Sequence, residues 1–144
     1  MEIQFAQSEQ EILDCWEVVK ELRPHLTDQQ AFLQQVKEMM QDGYRMIYVV
    51  EKGSNGDKAV AFAGFRNMQM LFTGKMIYID DLCTLPAFRG KGYASQLLDY
   101  VRQLAKDTGK TAVHLDSGYQ RKTAHRLYLQ EGFELSSHHF VQKV

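Results

Sequence analysis

Cysteine is scarce in this sequence. Cys15 and Cys83 are the only two in 144 residues, and they fall in segments patterned as a helix and a strand. That makes neither a disulfide framework nor a set of zinc ligands. Both are expected as reduced, buried thiols, and no metal is expected. A surplus of one charge is also absent, since 17 Lys plus Arg stand against 18 Asp plus Glu. No basic field therefore exists to hold nucleic acid by counterion release. Long apolar runs are missing too, and the opening Glu2-Ile3-Gln4-Phe5 lacks both the basic start and the apolar stretch of a signal peptide. The expectation is a cytoplasmic protein with no nucleic-acid or membrane partner. The two prolines, Pro24 and Pro86, sit where the residue pattern changes, and no repeat, low-complexity tract or Pro/Gly/Ser-rich linker divides the chain. Residues 1–144 are expected to form a single domain.

Apolar residues make up 44% of the chain, enough for a core. Residues 2–6 alternate as a strand. Ile12, Leu13, Trp16, Val19 and Leu22 then recur at helical spacing until Arg23-Pro24 stops them. Thr27 or Asp28 caps a second helix with Phe32, Leu33, Val36, Met39 and Met40 on one face, closed by Asp42-Gly43. Strands over 44–51 and 58–67 form a hairpin around the turn-rich stretch 53–57, and a further strand over 75–85 stops at Pro86. A long helix follows over 92–107, with Leu97, Leu98, Val101 and Leu104 on one face and Gly109 at its end. A strand over 111–116, a helix over 121–130 and two short strands from Phe133 onward, meeting near Ser136-Ser137, complete the chain. The order is β-α-α-β-β-β-α-β-α-β-β, an α/β fold with a mixed central sheet flanked by helices.

The segment richest in chemistry is the strand ending at Leu85 with the loop Pro86-Ala87-Phe88-Arg89-Gly90-Lys91-Gly92-Tyr93-Ala94 that opens the long helix. Glycines at 90 and 92 and the small Ala94 let a ligand approach the backbone. The free N–H groups and positive dipole end of a new helix suit phosphate oxygens. Two nearby glycines also suit an ordinary turn before a helix. A dinucleotide fingerprint would need its glycines after an early strand and an acidic residue about 20 positions later on another strand. That region is here the middle of a helix. A Walker loop is excluded because no Gly-Lys-Ser/Thr occurs.

Arg89-Gly90-Lys91-Gly92-Tyr93-Ala94 resembles the Gln/Arg-x-x-Gly-x-Gly/Ala acetyl-CoA loop of the GNAT N-acetyltransferase family and follows the fourth strand, as it does there. Downstream, Ala124-His125-Arg126-Leu127-Tyr128 with Gly132-Phe133 is similar to that family's Ala-x-x-x-Tyr helix ending in Gly-Phe. The motifs cover about residues 78–133, and the element order extends the resemblance to the whole chain. It implies a GNAT acyltransferase fold with acetyl-CoA as co-substrate. It also implies direct attack of an amine on the thioester, which requires orientation of both substrates, a base for the ammonium and an acid for the leaving thiolate.

The same resemblance implies site residues. The pantetheine arm pairs with Leu82, Cys83 and Thr84. The diphosphate meets the amides of Gly90, Lys91, Gly92, Tyr93 and Ala94, with Ser95 adding a hydroxyl and Arg89 and Lys91 adding countercharge. Where the family often has an Asn three residues before the helix Ala, this chain has Arg121, which either reaches a phosphate or faces solvent. Tyr128 matches the usual acid, although a tyrosine on an apolar helix face also serves as a core aromatic. Asp80 and Asp81 are adjacent acids in the apolar run Met76-Ile77-Tyr78-Ile79, where carboxylates are disfavoured. Some polyamine acetyltransferases of the family carry an acidic pair there to meet the amine. Asp80 is the first candidate base and Asp81 the second, because alternation turns successive strand side chains to opposite faces. A salt bridge to a surface Lys or Arg is the competing reading for either acid. His25, between the first two helices, and His138 or His139 near the C-terminus are further candidates for the acceptor site.

The expected function is transfer of an acetyl group to a primary amine of a small molecule, the two acids favouring a cationic acceptor. Acetylation of a protein N-terminus or lysine is the alternative within the fold, and a CoA-binding regulatory module without catalysis is the alternative outside it. The expected partners are the amine acceptor and, as an option, a second copy of the chain in a homodimer.

Overall fold

Ser8 starts the first helix with a capping box, accepting from the Glu11 amide while the Glu11 carboxylate accepts from the Ser8 amide. In the structure, a computed structural model describing residues 2–52 and 58–144, β1 (Ile3–Phe5) precedes α1 (Glu9–Asp14), α2 (Trp16–Leu22) and α3 (Gln29–Gln41). The strands β2 (Arg45–Val50), β3 (Ala59–Met70) and β4 (Gly74–Thr84) follow, then a 3₁₀ turn (Pro86–Phe88), α4 (Tyr93–Asp107), β5 (Ala112–Leu115) and α5 (Lys122–Gln130). The expected turn at 53–57 lies outside the described residues.

The first expected helix is two helices. Cys15 ends α1 and begins α2. Ile12, Cys15, Val18, Val19 and Leu22 are all buried across the break. Of the two expected caps for α3, Asp28 takes the role, accepting from the Gln30 and Ala31 amides.

The sheet has the order β1-β2-β3-β4-β5. The first three pairings are antiparallel, and the helical crossover through α4 makes the sheet mixed. Along β2 the side chains alternate: Tyr44, Met46 and Tyr48 join a core with α1, α2 and α3. Ile47 and Val49, equally buried, face the other way, and α4 packs against β2, β3 and β4 through Leu97, Leu98 and Val101.

The chain divides into two compact units, residues 1–114 and 115–144. The second holds α5 and the C-terminal segment. The two closing strands expected from Phe133 onward are not formed, since residues 131–144 contain no helix or strand. Leu135, Phe140 and Val141 are exposed, and a lone hairpin is marginal in water. Side chains hold the segment instead: His138 meets the Tyr119 hydroxyl at 3.1 Å, and His139 lies 3.6 Å from Asp116.

Gly64 on β3 has one task, which is to leave room for Tyr44. A β-carbon at Gly64 would fall on the buried Tyr44 ring and hydroxyl. Gly64→Ala is therefore expected to destabilise the protein by about 1–3 kcal/mol through overpacking. Denaturant melts would check this, and a wild-type midpoint would mean the ring can move aside freely.

Candidate active site

The register between β3 and β4 slips where the acids lie. Gly64 pairs with Asp81 and Phe65 with Ile79, so Asp80 is the extra residue of a β-bulge. The alternation expected to send Asp80 and Asp81 to opposite faces breaks there. Arg23 donates from Nε and Nη2 to Asp81 Oδ1 at 3.1 and 2.9 Å, and from Nη2 to the Asp80 carbonyl at 2.9 Å. The Tyr44 hydroxyl donates to Asp81 Oδ2 at 2.7 Å. Asp80 is gripped by the Arg66 fork, with Nε at 3.0 and 3.1 Å from its two oxygens and Nη2 closing on Oδ2. That guanidinium lies 5.4 Å from the centre of the Tyr44 ring. The bulge thus draws both acids into one network in which two carboxylates face two guanidiniums.

Both pairs are partly withdrawn from water, with side-chain exposures of 15% for Asp81 and 21% for Asp80. Carboxylates at such depth need partners. Burial, and then the Asp81 charge, push the Tyr44 phenol well above its ordinary range, so it stays a donor. The hydrogen bonds from Arg66 to Asp80 are the main cause of the upward shift of the Arg66 guanidinium pKa.

Asp81 also lines a cavity of about 240 Å³ under the link between α2 and α3. Arg23, His25, Gln35 and Tyr44 join Asp81 in its polar lining, while Phe32, Val36 and Met39 supply part of the apolar wall. Asp80 is not among the lining residues.

The glycine loop begins past the C-terminal end of β4, beyond the two acids. Leu82, Cys83 and Thr84 pair with Ala63, Phe62 and Ala61 of β3. On the opposite side, Thr111 donates to the Lys75 carbonyl at 2.9 Å just before β5, and the eleven residues of β4 outrun the four of β5. Gly90 and Gly92 adopt φ of +79° and +84°, with open space where a β-carbon would stand. Such angles favour glycine. Gly92 is the N-cap of α4 without a side-chain cap, and the first turn, with Tyr93, Ala94 and Ser95, presents N–H groups that no preceding turn can accept. Backbone N–H groups presented in such a cradle can take up phosphate oxygens.

Carboxylates hold the basic side chains of the loop. Lys91 Nζ lies 2.9 and 3.2 Å from the Glu51 oxygens and 5.3 Å from the Phe88 ring centre. Arg89 donates to the Thr84 carbonyl at 3.3 Å and lies 3.7 Å from Glu21. Tyr93 points inward and donates to Glu51. That bond, with Lys91, lowers the Glu51 carboxyl, and the same bond raises the Tyr93 phenol.

In the second unit, Tyr128 lies on α5 with its ring edge-on to Phe133 at 5.8 Å. Its carbonyl accepts from the Phe133 amide at 2.9 Å, which accounts for the spacing of the Tyr and Gly-Phe motif. Arg121 is the N-cap of α5, and His125 meets the Gly118 carbonyl at 2.8 Å.

The comparisons with known proteins agree with this geometry. The Acetyltransferase (GNAT) family profile matches residues 7–133, and the chain belongs to that family. The uncharacterized N-acetyltransferase YhdJ of Bacillus subtilis (strain 168) is 32% identical over 138 residues, covering 95% of this chain and 94% of the relative. The aminoalkylphosphonate N-acetyltransferase of Salmonella typhimurium (strain LT2) is 36% identical over 64 residues, 44% of this chain and 42% of the relative. Among solved structures, the aminoglycoside N-acetyltransferase AAC(6')-Iy in complex with CoA superposes with a TM-score of 0.80 at 20% identity, covering 99% of this chain and 95% of that one. The reaction class is acetyl-CoA-dependent N-acetylation.

Sequence reasoning did not find Tyr44, Arg66 or Glu51 as members of these networks. Arg66 and Tyr44 become neighbours of the acids only through the sheet register and the bulge. A polar residue inside the apolar run 59–65 and its extension was the available signal for Arg66.

Gly92→Val puts a β-branched residue at positive φ and fills the cradle. CoA affinity is expected to fall by about tenfold or more, with a backbone cost of about 1–2 kcal/mol in stability. Calorimetric titration of the folded variant checks it, and undiminished affinity would remove the diphosphate from this loop.

Proposed function

We propose that the enzyme acetylates the primary amine of a small molecule held in the cavity at Asp81. That cavity carries the reading: a small chamber of mixed polar and apolar lining, in which Asp81 stands on β4, one residue before the stretch 82–84. In this reading the pantetheine arm pairs along Leu82, Cys83 and Thr84 like an added strand. Its diphosphate takes the amides of residues 90–94, the Ser95 hydroxyl and countercharge from Arg89, Lys91 and Arg121. The amine nitrogen attacks the acetyl carbonyl carbon, forming the C–N bond as the C–S bond breaks. Asp81 orients the incoming ammonium and relieves it of a proton, directly or through water. The Tyr128 phenol protonates the departing sulfur. Asp80 supports Asp81 from within the network, because the Arg66 fork holds it. The names of two similar proteins, which act on an aminoalkylphosphonate and on aminoglycosides, support a small amine as the acceptor class. Thiol release from acetyl-CoA across small amines and peptides tests the proposal, with turnover expected for the former. Turnover of peptides alone would move the acceptor to protein.

Tyr128→Phe keeps the ring against Phe133 and removes the proton donor. Turnover is expected to fall by about 10²-fold while CoA affinity and melting temperature stay close to wild type. Unchanged turnover, with chemistry rate-limiting, would leave Tyr128 as a packing residue.

The acids separate by pH. Asp81→Asn is expected to lose most rate near neutral pH and to recover part of it at higher pH, where free amine accumulates. Asp80→Asn is expected to act through stability, since it loosens Arg66 instead of touching the amine. Full pH–rate profiles decide between them. An Asp81→Asn profile that overlays wild type would assign the proton to another group.

A further inference from the structure

The two arginine–aspartate pairs are built differently. Arg66 is fixed: it sits within β3 opposite Tyr78 and stacks on the Tyr44 ring. Arg23 caps the end of α2 immediately before Pro24, with φ −121° and ψ 69°. Its side chain is 39% exposed, against 15% for the Asp81 it holds. Tyr44, the other partner of Asp81, is buried in the core. Of these two described partners of the carboxylate, Arg23 can leave without opening the protein, whereas Tyr44 cannot. Arg23 and Asp81 also line the same cavity, together with His25.

We propose that Arg23 is a placeholder: the acceptor's ammonium displaces it from Asp81, and the freed guanidinium closes on an anionic group of the same acceptor, so that zwitterionic amines are preferred. This rests on reading the cavity at Asp81 as the acceptor site. Asp81 is too withdrawn from water to lose a cation without replacement, and an ammonium supplies one. The exchange leaves a guanidinium on the cavity lining, where a carboxylate or phosphonate offers its fork two oxygens. Phe32, Val36 and Met39 supply an apolar wall of the same cavity, suited to an alkyl spacer. A monocationic amine must evict Arg23 with nothing to receive it. An acceptor with both charges exchanges one ion pair for two.

The test uses acetyl-CoA with 6-aminohexanoate, 5-aminopentylphosphonate, hexylamine and 6-aminohexanamide. Wild type is expected to favour one or both anionic acceptors over hexylamine and the amide by about tenfold or more in kcat/KM, the scale of one charge-assisted contact. The two anionic compounds tell carboxylate from phosphonate. Arg23→Met keeps the alkyl stem and removes the charge. It should raise KM for the anionic acceptors and lower KM for hexylamine, which then meets an unopposed Asp81, while Arg23→Lys should restore part of the preference. A merely structural Arg23 would move both KM values the same way, and that result overturns the proposal. If Arg23→Met does not fold, wild type decides alone: equal use of 6-aminohexanoate and its amide rejects the clamp and leaves the small-amine reading standing. Turnover of none of the four overturns the clamp for these acceptors, and the wider amine panel then judges the small-amine reading separately.

Discussion

The hydrogen bond from Tyr44 to Asp81 joins the core to the candidate site, and most of the local architecture serves it. Gly64 vacates the volume that the tyrosine ring needs. The bulge at Asp80 sets the height at which Asp81 meets the hydroxyl. Arg66 covers the ring face while neutralising the neighbouring acid. Because the phenol is buried and its proton strongly held, it fixes one oxygen of Asp81 without competing for the other. The carboxylate is thus anchored on one side and exchangeable on the other, which suits a group that must both stay in place and receive a substrate.

The order of elements, the glycine loop and the helix carrying Tyr128 were legible because each depends on local sequence. Periodicity marks helices, Asp28 marks a cap, and Gly90 and Gly92 mark a backbone turn with positive φ. The networks were not legible in the same way. Asp80 and Asp81 stood out as misplaced acids, yet their orientation depended on a one-residue slip against β3 that no pattern within β4 announces. Their partners lie 14, 57 and 58 residues away in sequence for Arg66 and Arg23. The break at Cys15 was hidden for a related reason, since apolar spacing continues smoothly across it. The closing strands failed because alternation in residues 133–144 described a strand without the neighbouring ladder that would make it one.

Glycine and charge play opposite parts in the two halves of the candidate site. At the loop, Gly90 and Gly92 act by what they omit, leaving open space beside the backbone. At the acids, side chains fill the space and neutralise one another, and in the proposed reading recognition there proceeds by exchange. Both ends can therefore remain folded before substrates arrive, with no charge left to water's mercy in a partly buried place.

The pairing of the loop cations bears on ionic strength. Arg89 and Lys91 already have Glu21 and Glu51 as counterions, so a polyphosphate that recruits them liberates two carboxylates of the protein itself. Those carboxylates then gather cations from solution, offsetting part of the ion release that ordinarily accompanies polyanion binding. Affinity for such a ligand should consequently vary less steeply with salt than two unpaired basic side chains would dictate.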